Sequence, residues 1–69
     1  MVAFSVHYPD GKPAREMRVI ISALGEMAYG ITNQMGYVEI PMIQASGKII
    51  INGKTVHYGD LGIQNVVLN

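Results

Sequence analysis

The sequence predicts an all-β fold, a sandwich or barrel of short strands, and three observations carry that reading. Glycines at 11, 25, 36, 47, 53 and 62 punctuate runs rich in Val, Ile, Tyr and Met, and turn signals at roughly 8–12-residue spacing mark all-β architectures. Several of those runs alternate apolar and polar residues at the two-residue period of a half-buried strand. No segment has a helical period. Ala14 to Leu24 is the one stretch where a helix could form, but Val19, Ile20 and Ile21 are β-branched and no cap precedes it.

The first strand is expected over Val2 to Tyr8, with Val2, Phe4, Val6 and Tyr8 on one face and Ala3, Ser5 and His7 on the other. Pro9-Asp10-Gly11-Lys12-Pro13 then forms a loop, since proline presets a turn backbone, Asp bonds the chain ahead of it and Gly accepts positive φ. A second strand, Glu16 to Leu24, groups Met17, Val19, Ile21 and Ala23. Its opposite face holds Arg18, Ile20, Ser22 and Leu24 and is itself partly apolar. Either the strand is central and covered on both sides, or Ile20 and Leu24 belong to an interface. The third strand, about Met27 to Thr32, is weakened by Gly25 and Gly30, which favour a bulge or a close backbone approach.

Asn33 to Gly36 reads as a tight turn into a fourth strand, Tyr37 to Met42, with Val38, Ile40 and Met42 on one face. Pro41 has no amide hydrogen for a ladder and suits an edge or a strand end. After a connection over Ile43 to Gly47, strands over Lys48 to Asn52 and Lys54 to Tyr58 flank Asn52-Gly53, the pair best suited to a two-residue type I′ hairpin turn. Ile49 and Ile51 face the core, which leaves Ile50 outward, either in a central strand or at a subunit interface. Gly59 to Gly62 turns the chain into a last strand, Ile63 to Leu68.

The order of strand, Pro-Asp-Gly-Lys-Pro-Ala turn, long strand, Thr-Asn-x-x-Gly-Tyr turn and strand resembles the carboxypeptidase-regulatory-like domains of the transthyretin-like (prealbumin) sandwich group. The matching residues are Gly11, Lys12, Pro13, Ala14, Val19, Thr32, Asn33, Gly36 and Tyr37, with Val38 and Ile40 as inward positions, within Val2 to Tyr58. Asn33 stands where that family more often has Asp, and Asn can make the same side-chain turn bond. The resemblance implies a single small seven-stranded Greek-key sandwich over residues 1–69, used as an accessory, stabilising or adhesive module without catalysis. One branch of the wider group hydrolyses 5-hydroxyisourate with histidines, an arginine and a terminal Tyr-Arg-Gly-Ser. This chain ends Asn-Val-Val-Leu-Asn instead.

Sixty-nine residues make one small domain, and a chain this short buries only roughly 60% of its unfolded surface. The usual supports are disulfides, metals or a partner. With no cysteine, self-association or attachment to a larger body is the expected support. Five basic and five acidic residues cancel, so the basic footprint of nucleic-acid binding is missing. The longest apolar run, Val19 to Leu24 with Ser22 inside it, is far short of a membrane span. The expectation is a cytoplasmic protein, with a mature fragment of a secreted precursor as the alternative. Met1 favours a chain complete in itself.

His7 and His57 each sit beside a tyrosine and could form a metal or proton site if the first and sixth strands pair. A zinc site needs three or four ligands, and no cysteine or clearly placed carboxylate completes it. Asp10, Glu16, Glu26, Glu39 and Asp60 show no acid/base pair spacing, Ser5, Ser22 and Ser46 lack a nucleophile elbow, and Gly25 to Gly30 lacks the lysine and helix of a phosphate loop. No catalytic, cofactor-binding or metal-ligating residue is therefore assigned. The leading expectation is a non-catalytic structural or protein-interaction module that associates with itself or a larger partner through Ile20, Leu24 and Ile50. A sugar- or peptide-binding module is the alternative, drawn from Tyr8, Tyr29, Tyr37 and Tyr58 and centred on Tyr37 and Tyr58. A small hydrolase using His7 and His57 ranks last.

Overall fold

The computed structural model describes residues 1–43 and 45–68. Seven strands are laid down in order: β1 (Val2–His7), β2 (Arg18–Ala23), β3 (Glu26–Ile31), β4 (Tyr37–Ile40), β5 (Ser46–Ile51), β6 (Lys54–Asp60) and β7 (Asn65–Val67). They form two sheets, β4-β1-β7 and β3-β2-β5-β6, so the fold is an all-β sandwich. Alternation builds the layer between the sheets, because strand residues two apart share a face. Val2, Phe4 and Val6 of β1 and Val38 and Ile40 of β4 meet Val19, Ile21 and Ala23 of β2 and Ile49 and Ile51 of β5, all buried. Ala14, Met42, Leu61, Val66 and Leu68 complete that core.

Strand ends differ from the sequence expectation where local chemistry intervenes. Tyr8, expected to face inward, lies beyond β1 and is exposed, because its amide donates to the Lys12 carbonyl and its carbonyl accepts from Gly11 in the loop. Strand β2 begins at Arg18 rather than Glu16, since Glu16 adopts φ 51°. It ends at Ala23 because Leu24 (φ 49°) and Gly25 (φ 80°) form the turn to β3. Positive φ at both central residues is the backbone of a type I′ hairpin, the same geometry that Asn52 (φ 55°) and Gly53 (φ 76°) adopt as expected.

Strand β3 is regular, paired with β2 from Ala23↔Glu26 through Arg18↔Ile31 without a slip. Gly30 is no bulge. It is a close approach, where a Cβ would lie 2.8 Å from side-chain carbons of Val38 and Ile40 below it. The irregular strand is β6, whose register against β5 shifts between Ile49↔His57 and Ile50↔Thr55 and leaves Val56 as the extra residue of a bulge. Strand β4 stops at Ile40 before Pro41, and Met42 is nevertheless buried. The last strand is shorter than expected and runs parallel to β1 at Ser5↔Asn65, Val6↔Val66 and His7↔Val67.

The turn at Asn33 works as its residues predict. Asn33 Oδ1 accepts from the amides of Met35 at 2.9 Å and Tyr37 at 3.1 Å, and the Gly36 amide donates to the Asn33 carbonyl at 3.0 Å. Gly36 (φ 76°) is held where a Cβ would come 2.5 Å from the Val6 carbonyl oxygen, so no other residue fits without backbone movement.

Candidate functional site

Cross-strand registry decides which outward side chains meet. In the four-stranded sheet the inward residues of β2 and β5 are Val19, Ile21, Ile49 and Ile51, so Ile20 and Ile50 face out. They stand directly opposite each other, Ile20↔Ile50, and Ile20 is also opposite Tyr29 on β3. Directly opposed residues bring their Cβ atoms to about 4.5–5.5 Å. Tyr29, Ile20 and Ile50 therefore form one apolar row across three strands. Met27 and Ile31 flank Tyr29 on its own strand at the two-residue period and are exposed with it.

Two cations border this row, Arg18 opposite Ile31 and Lys48 opposite Ser22. The nearest carboxylate on the same face of the strands is Asp60, at the far corner opposite Ser46. The row is thus an apolar centre with charge at its margin.

Leu24 is not a strand residue of this face. It sits at the tip of the β2–β3 hairpin, 85% exposed, beside a shallow depression of about 270 Å³ lined by Ser22, Leu24, Ser46, Lys48 and Tyr58 among others. Tyr58 faces outward opposite Lys48 and is 77% exposed. Tyr37 belongs to the other sheet, opposite Ser5 on β1 and 39% exposed. The two tyrosines thus lie on separate sheets, and no single platform holds both.

The two histidines are also apart in the fold. His7 is on β1, in an isolated bridge with Pro13, and His57 is on β6 in the opposite sheet, where its Nε2 donates to the Asp60 carbonyl at 2.6 Å. Strands β1 and β6 do not pair, so the pairing that a two-histidine site requires is not made. Among the described residues no three His, Asp or Glu side chains stand together as a metal-sized group. No described helix is long and apolar enough to cross a membrane.

Sequence periodicity alone separates Ile20 and Ile50 from the core. It missed Met27, Tyr29 and Ile31 as members of the same surface, because the glycines around strand three obscured its register. The alternation Met27-x-Tyr29-x-Ile31 was the signal available. Comparison with protein-family models, curated proteins and solved structures finds no match for this chain.

Proposed function

We propose that this protein is a non-catalytic structural or interaction module that associates, with itself or with a larger protein body, through the outer face of the sheet β3-β2-β5-β6. The observation that carries the reading is the cross-strand row Tyr29–Ile20–Ile50, flanked by exposed Met27 and Ile31. Isolated apolar residues on a surface are ordinary, whereas a contiguous group rimmed by polar residues marks a contact site. A small core without disulfides adds a reason to bury this surface against a partner. The kinship with carboxypeptidase-regulatory-like domains is part of the proposal, supported by the turn at Asn33 and Gly36.

Light scattering over a wide concentration range tests it. The wild type is expected to exceed the 7.5 kDa of one chain, while Ile50→Asp, which places a charge in the middle of the row, reduces the mass to one chain with the circular dichroism unchanged. An Ile50→Asp protein of wild-type mass and thermal stability rejects the face.

A second reading is favoured by the depression beside Tyr58, where an exposed aromatic ring stands next to Lys48 and the hydroxyls of Ser22 and Ser46. That combination suits a sugar or a short peptide, the ring stacking while the polar groups fix orientation. With no tryptophan in the chain, tyrosine fluorescence is the direct readout. A glycan panel should quench it in the wild type and not in Tyr58→Ala, and a flat response in both removes the reading.

A further inference from the structure

The four sheet edges of this sandwich are not alike, and the difference identifies a partner. An edge strand exposes unpaired N–H and C=O groups, which proteins protect with short strands, prolines, lysines or bulges. Strand β4 is four residues long, carries Glu39 and runs into Pro41. Strand β7 is three residues long. Strand β6 begins at Lys54 and is broken by the bulge at Val56. Of these, strand β3 has only a charge at its first residue, Glu26. It is six residues long, in regular register, without lysine, proline or bulge, and presents Met27, Tyr29 and Ile31 to solvent.

Its backbone groups point outward at those same three residues. The two-residue turn at Leu24-Gly25 is closed by Ala23↔Glu26, a hydrogen-bonded pair, and bonded and non-bonded pairs alternate along an antiparallel ladder. The Thr32 amide, donating to the Met17 carbonyl at 2.9 Å, keeps that phase at the other end. Residues 26, 28, 30 and 32 are therefore turned to the neighbouring strand, and Met27, Tyr29 and Ile31 direct their amides and carbonyls away from it.

We infer that β3 pairs antiparallel with β3 of a second copy of this chain, about a two-fold axis at Tyr29, joining two four-stranded sheets into one of eight. This rests on the self-association proposed above and names its partner and geometry, placing the contact at the edge that borders the apolar face rather than on the face itself. One register engages all three outward residues of both copies, placing Tyr29 opposite Tyr29 and Met27 opposite Ile31. Each such pair exchanges two N–H···O bonds. On the outer face the large side chains meet large ones, and on the inner face Ala28 meets Gly30, which Val38 and Ile40 leave no room to enlarge. Glu26 comes opposite Thr32, so no like charges are opposed. The two Arg18 side chains, each beside its own Ile31, are offset by four residues, roughly 13 Å along the strands, more than a Debye length at physiological salt. The apolar row becomes continuous through the axis, Ile50–Ile20–Tyr29 meeting its symmetry copy. A two-fold contact of this kind is self-complementary and closed.

One six-residue edge is smaller than the roughly 800 Å² per partner of a stable complex, so the dimer is expected to dissociate on the order of 10–1,000 μM. Amide hydrogen exchange on the wild type reads it residue by residue. Between about 10 μM and about 2 mM the exchange of the Met27, Tyr29 and Ile31 amides slows by roughly two- to tenfold over that range of dissociation constants, while Ala28 and Gly30 are protected at both concentrations. Tyr29→Pro removes an outward amide without touching the ladder to β2 and should hold the chain at single-chain mass, with Tyr29→Phe still dimeric. Exchange independent of concentration, or a dimer persisting in Tyr29→Pro, overturns the pairing. Should Tyr29→Pro fail to fold, the wild-type exchange decides alone. An Ile50→Asp protein that still dimerises while Tyr29→Pro does not rejects the outer face as the contact and supports the edge.

Discussion

Thr32 is the one buried polar side chain among the described residues, 2% exposed, and it fastens the end of β3 to the loop that precedes β2. Its hydroxyl donates to the Ala14 carbonyl at 2.5 Å and accepts from the Met17 amide at 2.7 Å. Buried groups left without partners lose their desolvation energy in full. Thr32→Val keeps the shape and removes both bonds, and should cost about 1–3 kcal/mol in urea denaturation, whereas Thr32→Ser, which gives up a methyl group alone, should cost about 1 kcal/mol. The Thr-Asn pair was legible in the sequence as a turn signal. That the threonine also fastens the loop before β2 was not, because Ala14 lies eighteen residues away and nothing in its own neighbourhood announces the bond.

The two type I′ hairpins form a natural comparison. Asn52-Gly53 uses the residues this turn favours, and Leu24-Gly25 puts a leucine at φ 49°, a conformation that costs an ordinary side chain about 1–2 kcal/mol. Leu24→Asn should recover about 0.5–1 kcal/mol, a rise in Tm of about 2–8 °C for a chain of this size, measurable by calorimetry. An unchanged or lower Tm would mean that Leu24 contributes packing at the hairpin tip. The first hairpin escaped the sequence reading for the same reason: a leucine gives no turn signal, so β2 was extended through it. Strand interiors were legible in β1, β2, β4 and β5. Val2, Phe4, Val6, Val19, Ile21, Val38, Ile40, Ile49 and Ile51 are buried where the two-residue period puts them.

At the scale of the molecule, the division into two sheets could not be reached from local pattern. Alternation says which face of a strand is apolar and nothing about its neighbours, and the parallel pairing of β1 with β7 joins residues about sixty positions apart. The candidate surface shows the same limit. Ile20 and Ile50 were visible singly as outward isoleucines, and only registry across β2 and β5 makes them one surface with Tyr29. The bulge in β6 has a bearing on what such a surface can become. Lateral addition of strands is a polymerisation, and a particle with two competent ends grows without limit. Here the far end of the same sheet is disrupted at Val56 and begins with Lys54, so in a dimer joined through β3 that sheet would offer newcomers no second regular edge among the described residues. On the pairing proposed above, the irregular strand would act as a chain terminator and keep the assembly finite rather than fibrous.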